Sequence, residues 1–152
     1  GFLTDGVRRL LHDSGFPGMK VIQFAFDSRE ESDYLPHNYE KNCVVYTGTH
    51  DNDTLCGWYK VLDPEDLKLS QKYMNNANTP KRQIHWDFIR LALASVADMC
   101  IIPLQDYLGL GSEARINTPS TLGNNWRWRM TQGCLTKELA DQIRELTTLY
   151  GR

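Results

Sequence analysis

No two cysteines in this sequence are spaced as C-x-x-C, which excludes zinc-ribbon and thioredoxin-type centres; the four lie at 43, 56, 100 and 134. Glycine-rich phosphate loops are missing too. Gly109-Leu110-Gly111 lacks both the third glycine and a Lys-Ser/Thr ending, so a nucleotide site has no support. No serine sits in a nucleophile elbow. His12, His37, His50 and His85 form no i, i+4 pair, so neither a metal nor another cofactor is expected. Charge of one sign is nearly absent: the net value of −2 gives no reason to expect a nucleic-acid or anionic-membrane partner. There is no apolar run of spanning length and no signal peptide. Cysteines without a secretory signal point to reduced thiols in a cytoplasmic protein. An initiator methionine is also lacking, and the opening Gly1 reads as a cut start.

What is present is ordinary for a globular chain. The 152 residues suffice for one core, and 41% hydrophobic and 24% charged residues are ordinary for a soluble globular protein. No repeat, low-complexity tract or domain boundary interrupts residues 1–152, which read as a single segment.

The most informative stretch runs from Cys43 to Thr54. Cys43-Val44-Val45-Tyr46-Thr47 has the β-branched and aromatic make-up of a buried strand. It ends in His50, Asp51 and Asp53, and helix formers follow at once. Strand, polar corner and helix make a βα unit of a parallel sheet. In a (β/α)8 barrel, residues just past a strand's carboxyl end face the active-site bowl, which makes His50 and Asp51 the best-placed pair for chemistry. Asp51 is equally readable as a turn residue, and Asp53 reads as the cap of the next helix.

The remaining elements follow the same rhythm. Thr4 or Asp5 caps a first helix that Gly15 ends. Met19 to Phe26 reads as a strand, Leu35-Pro36-His37-Asn38-Tyr39 as a loop, and Asp63-Pro64 as a helix start with Asp63 as its cap. Thr79-Pro80 opens a long apolar helix carrying Ile84, Phe88, Leu91, Leu93 and Ala97. Met99 to Leu104 is a third buried strand, ended by Gln105 and Asp106. A loop runs from Gly109 to about Asn125, and a last helix starts near Thr136. Three strands alternating with helices indicate a partial α/β barrel or a small doubly wound sheet. A complete barrel needs about 250 residues, so the chain corresponds to roughly a third to a half of one.

Aromatic residues amount to 11% of the chain, and Tyr34, Tyr39, Trp126 and Trp128 fall in polar loops instead of core runs. A ring beside Asp, Asn and Arg is what a sugar site requires, since the ring covers the apolar face of the pyranose and the polar groups bind its hydroxyls. Packing is the competing role: alternation over Trp126-Arg127-Trp128-Arg129 puts both indoles on one side, as a loop lock would. Phe24, near the end of its strand, either faces a ligand or packs in the core. Arg115 either braces a carboxylate or is solvated.

Several motifs together carry a resemblance. They are Phe16-Pro17-Gly18-Met19-Lys20, the run from Tyr46 to Thr54, the run from Ile102 to Gly111, Arg115-Ile116-Asn117-Thr118-Pro119, and Asn125-Trp126-Arg127-Trp128-Arg129. In this order they resemble the 4-alpha-glucanotransferases (amylomaltases, or disproportionating enzymes) of glycoside hydrolase family seventy-seven, over essentially the whole chain. The resemblance implies the C-terminal part of a (β/α)8 TIM barrel of the alpha-amylase clan. It also implies transfer of an alpha-1,4-glucan segment to a glucose or glucan acceptor with retention, without a cofactor. By the same resemblance Asp51 matches the aspartate that steadies the transition state, and His50 the histidine that hydrogen-bonds the central sugar. Phe24 matches an aromatic on the acceptor side, and Asn117 belongs to the segment covering the glucan groove; Trp126 is a further candidate for substrate binding. Malto-oligosaccharides and alpha-1,4-glucans are the implied ligands, and the missing N-terminal part of the same barrel the implied partner.

The acid/base glutamate of that family lies in a Glu-Asp-Leu-Gly motif whose last residue Gly1 resembles, and its nucleophilic aspartate lies earlier still. No residue here matches either, so the fragment alone is expected to be inactive. Two other readings compete: a non-catalytic glucan-binding truncated barrel, and another alpha-amylase-clan hydrolase sharing the His-Asp pair.

Overall fold

A computed structural model describes residues 4–152; Gly1, the end of the motif discussed above, lies outside them. Three short strands, Gly18–Val21 (β1), Cys43–Tyr46 (β2) and Met99–Ile101 (β3), form one sheet in the order β1-β2-β3. Both pairings are parallel, with Gly18 beside Cys43 and Val44 beside Met99. Parallel neighbours in chain order require a crossover between them; helices supply it between β2 and β3, whereas residues 22–42 between β1 and β2 are mostly loop with two 3-10 turns. Helix α1 (Asp5–Ser14) precedes β1. Between β2 and β3 lie α2 (Leu55–Val61), α3 (Pro64–Met74) and α4 (Ile84–Leu93). After β3 come the single turn α5 (Leu104–Tyr107) and the terminal α6 (Lys137–Leu149).

Local chemistry explains the helix ends. Asp63 accepts a hydrogen bond from the Glu65 amide at 3.0 Å, with Pro64 preset for the first turn. Thr136 accepts from Leu139 at the start of α6, and left-handed Gly15 (φ 70°) closes α1. Carbonyls at the end of α4 and just after it are satisfied from residue 152. The Arg152 guanidinium donates to Leu93, Ser95 and Ala97, each at 2.8 Å.

The core lies between the sheet and the helices. Cys43 and Val45 of β2 pack there with Ile22, Leu55, Ile84, Phe88, Ile89, Ala92 and Leu146. Phe88 is its centre: Trp58, Tyr59 and Phe26 meet it edge-on, with ring centroids 5.3, 5.8 and 5.9 Å away. Burial pushes the Cys43 thiol up and that of Cys100 up to about 11, so both stay protonated near neutral pH and act as small hydrophobes. The opposite sheet face is left partly open. Register aligns Met19, Val44 and Met99 there, and then Val21, Tyr46 and Ile101, with Met19 57% and Met99 54% exposed.

Three expectations about elements need correction. The apolar run from Met19 to Phe26 is not one strand: it leaves the sheet at Val21 and turns through a 3-10 helix, Ile22–Phe24, which tucks Ile22 and Ala25 into the core. β3 stops at Ile101 instead of Leu104, because Pro103 has no amide for the ladder and caps α5. After Pro80 a 3-10 turn, Lys81–Gln83, precedes α4, and Ala97 lies beyond that helix although it is buried.

Candidate active site beyond the second strand

The corner after β2 is a tight turn fixed by Asn52. Its Oδ1 accepts from the Thr49 amide at 2.9 Å and the Thr49 hydroxyl at 2.8 Å. The turn raises His50 and Asp51 at its tip with side chains 52% and 47% exposed, and their facing atoms, Nε2 and Oδ1, are 3.2 Å apart. The 115–126 segment then closes over the tip. Asn117 donates from Nδ2 to Asp51 Oδ1 at 2.6 Å, and its amide donates to the His50 carbonyl at 3.0 Å. Arg115 spans both pieces: Nη2 donates to the Asp51 carbonyl at 2.6 Å and Nε to the Asn117 carbonyl at 2.9 Å. It thus braces the main chain of Asp51, not its carboxylate.

Trp126 completes the corner. Its ring lies 5.0 Å from that of His50, tilted by 35°, and is 58% exposed. Its φ of 63° is unusual for a bulky residue, and conformations of this kind cost on the order of 1–3 kcal/mol. Its amide donates to the Ile116 carbonyl at 2.7 Å, and its carbonyl accepts from Arg129 at 3.1 Å. The positive φ breaks the alternation that would set Trp126 and Trp128 on one side; Trp126 goes to the corner and Trp128 is half-buried. Asn125 closes the loop behind it, accepting from the Thr118 amide and donating to the Thr121 carbonyl.

Four of the five residues singled out from the sequence therefore meet: His50, Asp51, Asn117 and Trp126. The fifth, Phe24, sits apart. It is 49% exposed, edge-on to Tyr34 at 5.5 Å, and lines a depression of about 700 Å³ with Tyr34, Trp58, Asp27 and Asp66. Gln23 joins the two places, since it lines the depression and donates from Nε2 to the Asp53 carbonyl at 2.7 Å.

A second polar layer lies beneath the corner. Asp53 does not cap α2. Thr54 does, accepting from the Gly57 amide at 3.1 Å, while the Asp53 carboxylate accepts from the Thr54 amide and the Ser112 hydroxyl. Gly57 is needed beside it, since a Cβ there would lie 2.6 Å from both Asp53 carboxylate oxygens. Asp106 is deeper still, 2% exposed, accepting from the Thr47 hydroxyl at 2.6 Å and the Leu55 amide at 2.8 Å. Burial pushes its carboxyl up to about 6, against the opposing pull of those two donors; the nearby Asp53 carboxylate adds to the rise. An acid with a raised folded pKa holds its proton longer when folded, so its contribution to stability falls as pH rises from about 4 to about 6. That window corresponds to roughly 3 kcal/mol that the ionised group takes from the fold at neutral pH. Sequence reading treats Asp106 only as a strand terminator, and only its place just beyond a strand, like that of Asp51, could have singled it out.

Parallel strands with their polar side chains gathered past the carboxyl end of β2 define a parallel α/β protein of the barrel type, with its site where such folds place one. Comparison with known proteins narrows this. The family model described as 4-alpha-glucanotransferase matches residues 1–136, and the chain belongs to that family. It is 49% identical over its whole length to a 4-alpha-glucanotransferase of Clostridium butyricum, covering 31% of that protein. To the chloroplastic/amyloplastic 4-alpha-glucanotransferase of Arabidopsis thaliana it is 46% identical, covering 27%. Among solved structures, the amylomaltase from Streptococcus agalactiae in complex with acarbose superposes with a TM-score of 0.93 at 38% identity, over all of this chain and 30% of that one. The chain thus spans less than a third of these relatives' length. No described helix is long and apolar enough to cross a membrane, and the plastid name of the plant relative makes family membership no guide to a cytoplasmic location.

Proposed function

We propose that this chain supplies one wall of the active site of a 4-alpha-glucanotransferase, the later part of its barrel, which moves an alpha-1,4-glucan segment between chains with retention. The observation that carries the reading is the Asp51 carboxylate. Oδ1 is engaged by Asn117 Nδ2 and lies beside His50, while no protein donor among the described residues meets Oδ2 on this half-exposed side chain. A negative charge held in place with one free oxygen suits a sugar ring that becomes oxocarbenium-like in the transition state. His50 binds a hydroxyl of the central sugar, the exposed Trp126 face covers the apolar side of a pyranose, and Asn117 holds its segment over the groove. Phe24, in its own depression with Tyr34, lines the acceptor side. That the related amylomaltase was solved with acarbose agrees with an oligosaccharide groove. The nucleophile and the acid/base come from elsewhere in the polypeptide, malto-oligosaccharides and alpha-1,4-glucans are the ligands, and the cytoplasm is the proposed location.

The full polypeptide carrying this segment, given maltotriose, is expected to yield both longer glucans and glucose. Glucose and maltose without longer products would assign a hydrolase instead, and glucan binding without turnover a binding module. The 152-residue chain assayed alone is expected to give no product above background, and turnover by it would place the missing groups within these residues.

A further inference from the structure

Asp106 is used by none of the chemistry above, yet its contacts bracket the catalytic loop. The segment bearing His50 and Asp51 leaves the sheet after Tyr46 and enters α2 at Leu55. Thr47, at its first residue, donates its hydroxyl to Asp106 Oδ2, and Leu55, at its last, donates its amide to Asp106 Oδ1. One carboxylate, delivered from α5 just past β3, therefore pins both ends of the loop. The adjacent Gln105, also buried, donates from Nε2 to the Ala114 carbonyl at 3.3 Å, one residue before Arg115. Two consecutive side chains thus reach the two pieces of chain that meet at Asp51. We propose that Asp106 is a positioning residue for Asp51, holding the 47–55 loop at the height where the Asp51 carboxylate meets substrate.

The inference rests on the catalytic reading of Asp51. It explains why an acid occupies this position although burial of its charge disfavours the fold. A carboxylate offers two acceptor oxygens to two donors, whereas an amide offers one, so asparagine of the same shape keeps the Leu55 contact but reverses the other, its Nδ2 donating to Thr47 Oγ1 and leaving the hydroxyl proton without its acceptor. Thr47 and Leu55, the loop's two anchors, are both at 0% exposure, so water has no access to accept that proton.

The test compares Asp106→Asn, Thr47→Val, Thr47→Ser and Asp51→Asn in the full polypeptide, with maltotriose as donor. For Asp106→Asn, kcat is expected to fall about 10- to 100-fold, as for a reacting group displaced by about 1 Å. KM is expected to stay within about twofold, because the sugar-binding surfaces are untouched. The thermal midpoint at pH 8 is expected to be no lower than that of the parent, since the variant removes a buried charge. Thr47→Val should lose activity in the same direction, and Thr47→Ser, which keeps the hydroxyl, should restore it. Unchanged kcat in Asp106→Asn, with Asp51→Asn inactive, would overturn the positioning role alone. A parallel fall of kcat and thermal midpoint would overturn it in favour of a purely structural carboxylate. Full activity in Asp51→Asn would remove the catalytic reading and this inference with it.

Discussion

Asp51→Asn in the full polypeptide is expected to lower kcat for maltotriose disproportionation by about 100- to 1,000-fold, the range seen when one preorganised transition-state group is removed. The change is nearly isosteric. The asparagine oxygen can still accept from Asn117 Nδ2, as Asp51 does at 2.6 Å, so the loop has no reason to move. What disappears is the charge, and the charge matters most where positive character develops on the sugar ring. KM should therefore change far less than kcat. A variant with near-normal turnover would make Asp51 a turn residue, the alternative that its position in Thr49-His50-Asp51-Asn52 always allowed.

The second large effect is expected at Arg115. Its guanidinium bonds both halves of the corner, through the Asp51 and Asn117 carbonyls. Methionine keeps the apolar stem and removes both donors. Each lost charge-assisted bond is worth about 1.5–3 kcal/mol to the contact it holds. Arg115→Met is accordingly expected to depress kcat by about 10- to 100-fold through misplacement of Asp51. Arg115→Lys should fall between, because a single ammonium cannot reproduce the two-pronged geometry. Hydrogen exchange at the Asn117 and Trp126 amides, which bond the His50 and Ile116 carbonyls, offers a second reading. Faster exchange in Arg115→Met confirms a loosened segment, and unchanged exchange with unchanged activity would reduce Arg115 to a surface residue.

The features most legible in the sequence are those with local causes. The β2 strand and its polar corner, the Asp63-Pro64 and Thr136 helix starts and the Gly15 stop each depend on a few neighbouring residues, and each is present. The length of β1 was not legible, because Val21-Ile22 continues an apolar run whether the chain stays in the sheet or turns into the core, and hydropathy is the same in both. Neither were the contacts of Asp106. Its two donors lie 59 and 51 residues away, and no spacing rule connects them. Asn117 is legible through a family motif and Trp126 as an aromatic ring in a polar loop, but the φ of 63° that sends the indole to His50 instead of to the side of Trp128 has no signature in Asn125-Trp126-Arg127-Trp128. The cap of α2 lies one residue beyond Asp53, since Asp53 and Thr54 are both good capping types and the Asp53 carboxylate is engaged instead by the Thr54 amide and the distant Ser112 hydroxyl.

The sheet order β1-β2-β3 sets a timetable during synthesis. β1 and β2 are joined by residues 22–42, a shorter connection than residues 47–98 between β2 and β3, and can pair as soon as both have left the ribosome; β3 adds to the exposed side of β2 later, so each pairing extends what is already there. The corner follows another clock. Asp51 is made early, but Asn117, its hydrogen-bond partner, comes 66 residues later and Trp126 later still. At elongation rates of about 5–20 residues per second, the nascent chain carries an open, unclosed Asp51 loop for several seconds after its strand is in place. Closure of this corner therefore comes several seconds after the strand that carries it has set.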